Sequence, residues 1–332
     1  MIEVATKVKI PFLWGKSVFR KSNWSNINPC YYYRMIRKPF YFLTVFMLIF
    51  STLGIHAQTP KIHSPLYGIT LDALSASSIS KIIDAVKALP VKPTARVVID
   101  AGANHEDLAP LLAKLHEVSY ILLCPCDSFD MKLYETVESY TARFADCVEH
   151  LAPYTDIWEV GNEINGEGWL GGTDELTGRK AYAAWKYVHE RGFTAALTAY
   201  MFKPGSQSMT MEEWLEKFIP SDMKNALDYV LVSYYDKDNE GLHEDWDDMF
   251  DNLYKMFPNS LLGFGECGFA NPHSIGRSFN AQADAYYRMK PYNDRYIGGY
   301  FWWYWQEDCV PHKKNPRWQK IADNFLWMKE NY

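Results

Sequence analysis

Cysteine is scarce, six in 332 residues, and only five lie beyond residue 57 (Cys124, Cys126, Cys147, Cys267 and Cys309). An odd number cannot close into a complete disulfide framework. Cys124 and Cys126 share one strand face by their spacing, but no second pair at metal-ligand spacing accompanies them, which argues against a zinc site. A bridge between Cys267 and Cys309, expected at the ends of neighbouring strands, is the one disulfide left open in an oxidising compartment. No glycine-rich turn follows an early strand, so the sequence does not announce a nucleotide-binding doubly wound sheet. The nine histidines are scattered, with His63, His105 and His243 in no strand-end pairing of the kind a metal-dependent barrel hydrolase needs. No metal or other cofactor is expected.

Long apolar runs are missing too. The longest candidate, Phe40 to Phe50, is interrupted by Thr44 and falls short of the roughly twenty apolar residues that a spanning helix wants. It is preceded by Arg34, Arg37 and Lys38 and followed by a softer stretch from Ser51 to Ala57. That order is the pattern of a secretory signal peptide over residues 35–57, with Gln58 opening the mature chain and residues 1–34 an upstream leader or an early start ahead of Met35. The expectation is a secreted or periplasmic protein with no stable membrane insertion after cleavage. No Cys follows the run closely, which argues against a lipid anchor. Residues 1–57 carry eight Lys/Arg and one acid; without them 26 basic face 39 acidic side chains, a balance of −13. Nucleic acid is therefore not an expected partner, since phosphate binding wants a basic face.

Aromatics, by contrast, are plentiful: 12 Trp and 23 Tyr, 16% of the chain with Phe included. They suit a large core, and equally the stacking of sugar rings. From about Pro65 onward, short β-rich apolar runs alternate with longer segments of helical period, the signal of repeated βα units. Eight strands are expected at Leu66–Asp72, Ala95–Ala101, Tyr120–Cys126, Ile157–Asn162, Ala195–Met201, Tyr229–Tyr235, Leu261–Glu266 and Ile297–Trp303. Helices are expected at Ser78–Leu89, Glu106–Leu115, Val137–Leu151, Lys180–Arg191, Met211–Phe218, Trp246–Phe257, Ala281–Met289 and Trp318–Lys329. Eight units in this length favour one closed (β/α)8 barrel, a TIM barrel, occupying residues 58–332 as a single domain.

In such a barrel the working residues close the strands at their C-terminal ends. Those positions are Asp72, Asp100, Asp127, Asn162 with Glu163, Tyr200, Tyr234 with Tyr235 and Asp236, Glu266, and Trp303 with Trp305. Strand four ends in Trp158-Glu159-Val160-Gly161-Asn162-Glu163, and strand seven in Gly263-Phe264-Gly265-Glu266. Two carboxyl groups facing each other across a barrel mouth are what cleavage of a glycosidic bond needs, one to protonate the leaving oxygen and one to support the positive sugar centre. Glu159, two strand steps from Gly161, is expected to be buried against Arg96 or a neighbour.

This pattern resembles clan A of the glycoside hydrolases, whose barrels carry an Asn-Glu acid/base pair at the end of strand four and a nucleophilic Glu at the end of strand seven. The resemblance spans Pro65 to the C-terminus. It implies a retaining hydrolase of a β-linked glycan, β-glucan or mannan type, with Glu163 as general acid/base and Glu266 as nucleophile. It also implies that Asn162 contacts the sugar 2-hydroxyl, that Tyr235 bonds the nucleophile, that Trp303 and Trp305 floor a subsite, and that Arg96 supports the nucleophile's charge. Trp169, in the loop after strand four, offers a further stacking face, and Asp72 a polar contact. Two departures stand out: Ile164 replaces the Pro that often follows the acid/base, and Ser233 stands where a His often precedes the strand-six Tyr by two positions. The competing reading is a carbohydrate-binding barrel of the same descent without turnover.

Overall fold

The structure, a computed structural model, describes residues 65–332 apart from 167, 242–244 and 270–277. The expected signal segment and leader lie outside the described residues. Eight parallel strands close into a barrel in sequence order: β1 Leu66–Leu71, β2 Thr94–Val98, β3 Tyr120–Cys124, β4 Ile157–Gly161, β5 Ala195–Tyr200, β6 Tyr229–Ser233, β7 Leu261–Cys267 and β8 Tyr296–Trp302. The seam is closed by β1 against β8, with Leu66 beside Gly298 and Tyr67 beside Gly299. Around it run α1 Ile79–Lys87, α2 His105–His116, α3 Val137–Leu151, α4 Asp174–His189, α5 Met211–Phe218, α6 Ser221–Ala226, α7 Trp246–Met256, α8 Phe279–Tyr287, α9 Trp305–Cys309 and α10 Pro316–Asn331.

The strands are legible because both of their faces are buried. One face packs on the helices, and the other fills the barrel interior with Leu66, Leu122, Ile157, Ala196, Leu231, Ile297 and Phe301. Parallel strands covered on both sides carry nearly continuous apolar runs of β-branched and aromatic residues, such as Tyr229-Val230-Leu231-Val232. Above that interior layer the filling turns polar: Arg96, Glu159, Thr198 and Ser233 are all buried.

Helix starts follow capping chemistry. Thr136 and Ser139 close a capping box on α3, Thr210 and Glu213 one on α5, and Asn315 with Pro316 opens α10. α4 begins at Asp174, six residues before the expected Lys180, because Thr173 caps it and Gly178 continues it. A Cβ on Gly178 would lie 2.7 Å from the Phe218 carbonyl oxygen, so the residue that looks like a helix breaker permits close packing of α4 on the end of α5. Four segments were not legible in the sequence pattern: the 3-10 turns Ser128–Leu133 and Ala152–Tyr154, α6 and α9. The Cys267–Cys309 bridge does not form: all five described cysteines are free and buried, and Cys309 closes the short helix α9 instead of ending a strand.

Candidate active site

The end of β4 is irregular. Its ladder with β5 shifts register between Glu159 and Gly161, and Glu163 adopts φ +48°, left-handed backbone for a residue with a side chain. Such a conformation costs on the order of 1–3 kcal/mol and persists only where surrounding structure enforces it. Here the Ile164 amide donates to Thr198 O at 3.3 Å, and the Gly166 amide to Glu163 O at 2.9 Å. The break separates two carboxylates that strict alternation would keep together: Glu159 stays inside the barrel while Glu163 opens onto the cleft.

β7 delivers Glu266 beside Phe301 of β8, after the β7–β8 ladder shifts register between Leu262 and Phe264 while the ladder with β6 stays in register. Gly265 just before it is needed for room, since a Cβ there would meet the Thr198 methyl at 2.9 Å and Leu231 at 3.1 Å. Glu163 and Glu266 are 8% and 7% exposed and line the same two cavities. The larger, about 400 Å³, continues toward Trp169, Tyr200 and Phe202. The smaller, about 310 Å³, continues toward Asp127, Lys237, Trp303 and Tyr304.

The two carboxyl groups have different neighbours. Glu266 Oε2 accepts from Arg96 Nη1 at 2.9 Å and Oε1 from the Tyr235 hydroxyl at 2.7 Å. Arg96, fully buried, also donates through Nε to Glu159 at 2.8 Å, and Glu159 accepts in turn from Thr198. The expected burial of Glu159 against Arg96 is thus found, and Arg96 reaches Glu266 despite its early place in β2. Glu163 Oε1 accepts from Ser233 Oγ at 2.5 Å, and Oε2 from Ser128 Oγ at 3.4 Å. No cation contacts it directly among the described residues.

Burial, then the negative charge of Glu266, holds the Glu163 carboxyl well above the ordinary carboxylate range. Burial also pushes Glu266 up to about 7, with Arg96 and then Tyr235 pulling it back down. For both groups desolvation is the largest cause, outweighing the repulsion between the carboxylates at Glu163, and it leaves Glu266 close to neutrality instead of in the usual acidic range.

Asn162 donates to Asp127 Oδ1 at 3.1 Å, while its own Oδ1 is buried without a partner. Trp169 is half-buried, edge-on to Tyr200 at 6.2 Å. Trp303 lies with its ring 5.6 Å from the Arg96 guanidinium. Of the two tyrosines offered by the sequence, Tyr235 faces the pair, and Tyr234 turns outward, edge-on to Trp246 at 4.8 Å. Trp305 is a correction. β8 ends at Trp302 and Trp305 opens α9, fully buried in the core, so the two-residue period that paired it with Trp303 stops at the strand end. Asp72 lines neither cavity and sits beside Glu307, its carboxyl raised by burial, and Asn162 likewise lies outside both linings.

The sequence reading missed Ser128 and the exposed Phe129, which ride on the 3-10 turn after β3, and Tyr304 and Asp238, which line the cavities. Asp127 ahead of that turn, which caps it by accepting from the Phe129 amide, was the only available signal. Among the described residues the one grouping able to offer three metal ligands is His105, Asp146 and His150, on α2 and α3. Arg143 lies 3.0 Å from His105 Nε2, which makes that nitrogen the acceptor and turns a hydrogen on Nδ1 toward Asp146. That arrangement suits a hydrogen-bonded cluster better than a cation.

No family model matches the sequence, and no curated protein is similar to it. Solved structures are. Gas2p of Saccharomyces cerevisiae in complex with laminaritriose and laminaritetraose aligns at TM-score 0.52 and 15% identity over 79% of this chain and 64% of that one. A glucosidase from Croceicoccus marinus aligns at TM-score 0.54 and 11% identity over 80% of this chain and 68% of that one. Gas2p with laminaripentaose gives 0.51 and 15%, over 79% and 65%. The chain therefore spans about two thirds of the length of these proteins. At such identities the likeness establishes architecture alone, a closed (β/α)8 barrel.

Proposed function

We propose that residues 58–332 form a retaining glycoside hydrolase acting on a β-linked glucan or related glycan, with Glu266 as nucleophile and Glu163 as general acid/base. One observation carries the reading: two buried carboxyl groups from the ends of β4 and β7 share the same cavities, one backed by Arg96 and Tyr235, the other by hydroxyl groups only. A cation and a phenol favour the charged form a nucleophile needs, and burial without a cation favours the protonated form an acid needs. Glu266 attacks the anomeric carbon as Glu163 gives its proton to the departing oxygen. Glu163, now ionised, then takes a proton from the water that frees the sugar from Glu266. Arg96 and Tyr235 hold the nucleophile, Trp303 floors the subsite beside it, and Asn162, with its unpartnered oxygen, takes the sugar 2-hydroxyl.

Several features support the substrate class. The acidic balance and the carboxylates Asp127 and Asp238 at the cleft disfavour an anionic polymer, and aromatic rings at both cavities suit neutral sugar faces. The similar Gas2p structures hold laminari-oligosaccharides, which makes β-1,3-glucan the first substrate to try. Cavities on two sides of the pair support cleavage within a chain. We place the protein outside the cell on the strength of the residue 35–57 segment. Among the described residues no helix is long and apolar enough to cross a membrane. The test is a panel of β-1,3-glucan, β-1,4-glucan, mannan, galactan and xylan, with product sizes and anomeric configuration followed by NMR. Turnover with retention is expected; inversion, or full activity of Glu266→Ala, would remove Glu266 as nucleophile.

A further inference from the structure

The carboxyl of Glu163 is held asymmetrically. Ser233 Oγ donates to Oε1 at 2.5 Å, whereas Ser128 Oγ lies 3.4 Å from Oε2. Ser233 is the last residue of β6 and has no exposed surface. Its place is set by the sheet: it pairs with Tyr200 of β5, and its carbonyl accepts from the Met201 amide at 2.9 Å. Ser128, by contrast, lines both cavities together with Glu163.

A protonated carboxyl group has one hydroxyl oxygen and one carbonyl-like oxygen. The terminal torsion of Glu is broad and nearly two-fold, so an unrestrained carboxyl exchanges its oxygens freely. We infer that Ser233 is a positioning residue that reserves Oε1 of Glu163 as an acceptor and leaves Oε2, beside the cleft-lining Ser128, as the oxygen that holds and delivers the proton. The inference rests on the assignment of Glu163 as general acid/base. In the first step the Oε2–H bond breaks and the proton passes to the glycosidic oxygen, while Oε1 keeps its bond from Ser233. In the second step the same Oε2 takes a proton from water. The strained backbone of Glu163 fixes the direction of approach, and the serine fixes which oxygen arrives first. Ser233 also stands where a His is common in this clan, so here a neutral hydroxyl that cannot change charge near neutral pH supports the acid. The other charged groups around Glu163 are Glu266, Asp127 and Arg96.

The test compares wild type, Ser233→Ala, Ser233→Thr and Glu163→Gln. Values of kcat/KM are measured for phenyl and 2,4-dinitrophenyl β-laminaribiosides, because the second leaving group needs no proton. Glu163 is titrated separately by 13C NMR of labelled glutamate, its signal assigned with Glu163→Gln. Ser233→Ala is expected to lower kcat/KM for the phenyl substrate about 10- to 100-fold, the worth of a hydrogen bond to a charged group, and to spare the dinitrophenyl substrate. The Glu163 titration should move upward, since the ionised form loses a donor, and Ser233→Thr should restore both readouts. Equal losses on the two substrates, or an unmoved titration, overturn the inference; the titration needs no turnover. A Glu163→Gln variant with the wild-type phenyl rate removes the general acid itself and the inference with it. Loss in Glu163→Gln with no leaving-group dependence in Ser233→Ala removes the inference alone.

Discussion

The ends of β4 and β7 present the same side chain to the same cleft by opposite means. At β7 the strand keeps register with β6 up to Phe264 and slips only against β8, between Leu262 and Phe264; a glycine beneath Glu266 makes room, and charge is stabilised by a guanidinium that is itself shared with Glu159. At β4 the ladder slips, the backbone of Glu163 turns left-handed, and only hydroxyl groups attend the carboxyl. Both groups are equally hidden from water, so burial raises both. The difference between them comes from what else is within hydrogen-bond reach. On the proposed mechanism, Arg96 and Tyr235 favour the charged form of Glu266, and burial without a contacting cation favours the protonated form of Glu163.

The comparison can be broken most sharply at its charged end. Glu266→Ala should abolish turnover on the cleaved glycan, with azide restoring part of it and giving a product of inverted configuration, read by NMR. Glu163→Ala should lower kcat about 10²- to 10⁴-fold for natural linkages, the range of a positioned proton donor, and should remove the alkaline limb of the pH profile. Arg96→Met would leave Glu159 and Glu266 buried without their cation. Loss of one partner from a buried pair costs about 3–5 kcal/mol, to be seen as a lower denaturation midpoint, and the acid limb of any remaining activity should move up.

The pH profile of wild-type kcat/KM sharpens the contrast without mutation. On the proposed mechanism, activity requires Glu266 ionised and Glu163 protonated. It should therefore rise with pH through a limb near 7, where burial has pushed Glu266, and fall through a second limb above it as Glu163 ionises. The two limbs belong to the pair as a whole. A single limb near the ordinary carboxylate range would mean that the groups do not sense each other or their burial. The smallest effect separates the two tryptophans of the 303–305 run. Trp303→Ala should raise KM several-fold, a stacking contact being worth about 0.5–1.5 kcal/mol, with little change in melting temperature. Trp305→Ala should do the reverse and destabilise by about 3–5 kcal/mol.

Strand and helix positions were legible because covered parallel strands and amphipathic helices repeat with different periods. The limits of each strand fell within a few residues of their observed places, and α3 and α5 coincide with expectation. The pair of acids was legible through its position at the ends of units four and seven. What escaped lies where periodicity ends. Ser128 and Phe129 ride on a 3-10 turn with no repeating pattern, and Trp305 was assigned to a strand that had already become a helix. Asp72 shared the strand-end rule with the others, yet sits against Glu307 outside both cavities.

The order of residues was enough to specify eight βα units, the interior and exterior faces of each strand, and two glutamates at one end of the barrel. Resemblance alone assigned the proton to Glu163; the residue order shows no physical cause for that choice. That choice depends on groups far away in the chain, Ser233 seventy residues from Glu163 and Arg96 one hundred and seventy from Glu266, brought within 3 Å by barrel closure and register. Acidity is a property of the space around a carboxyl group, and that space exists only after the sheet has closed.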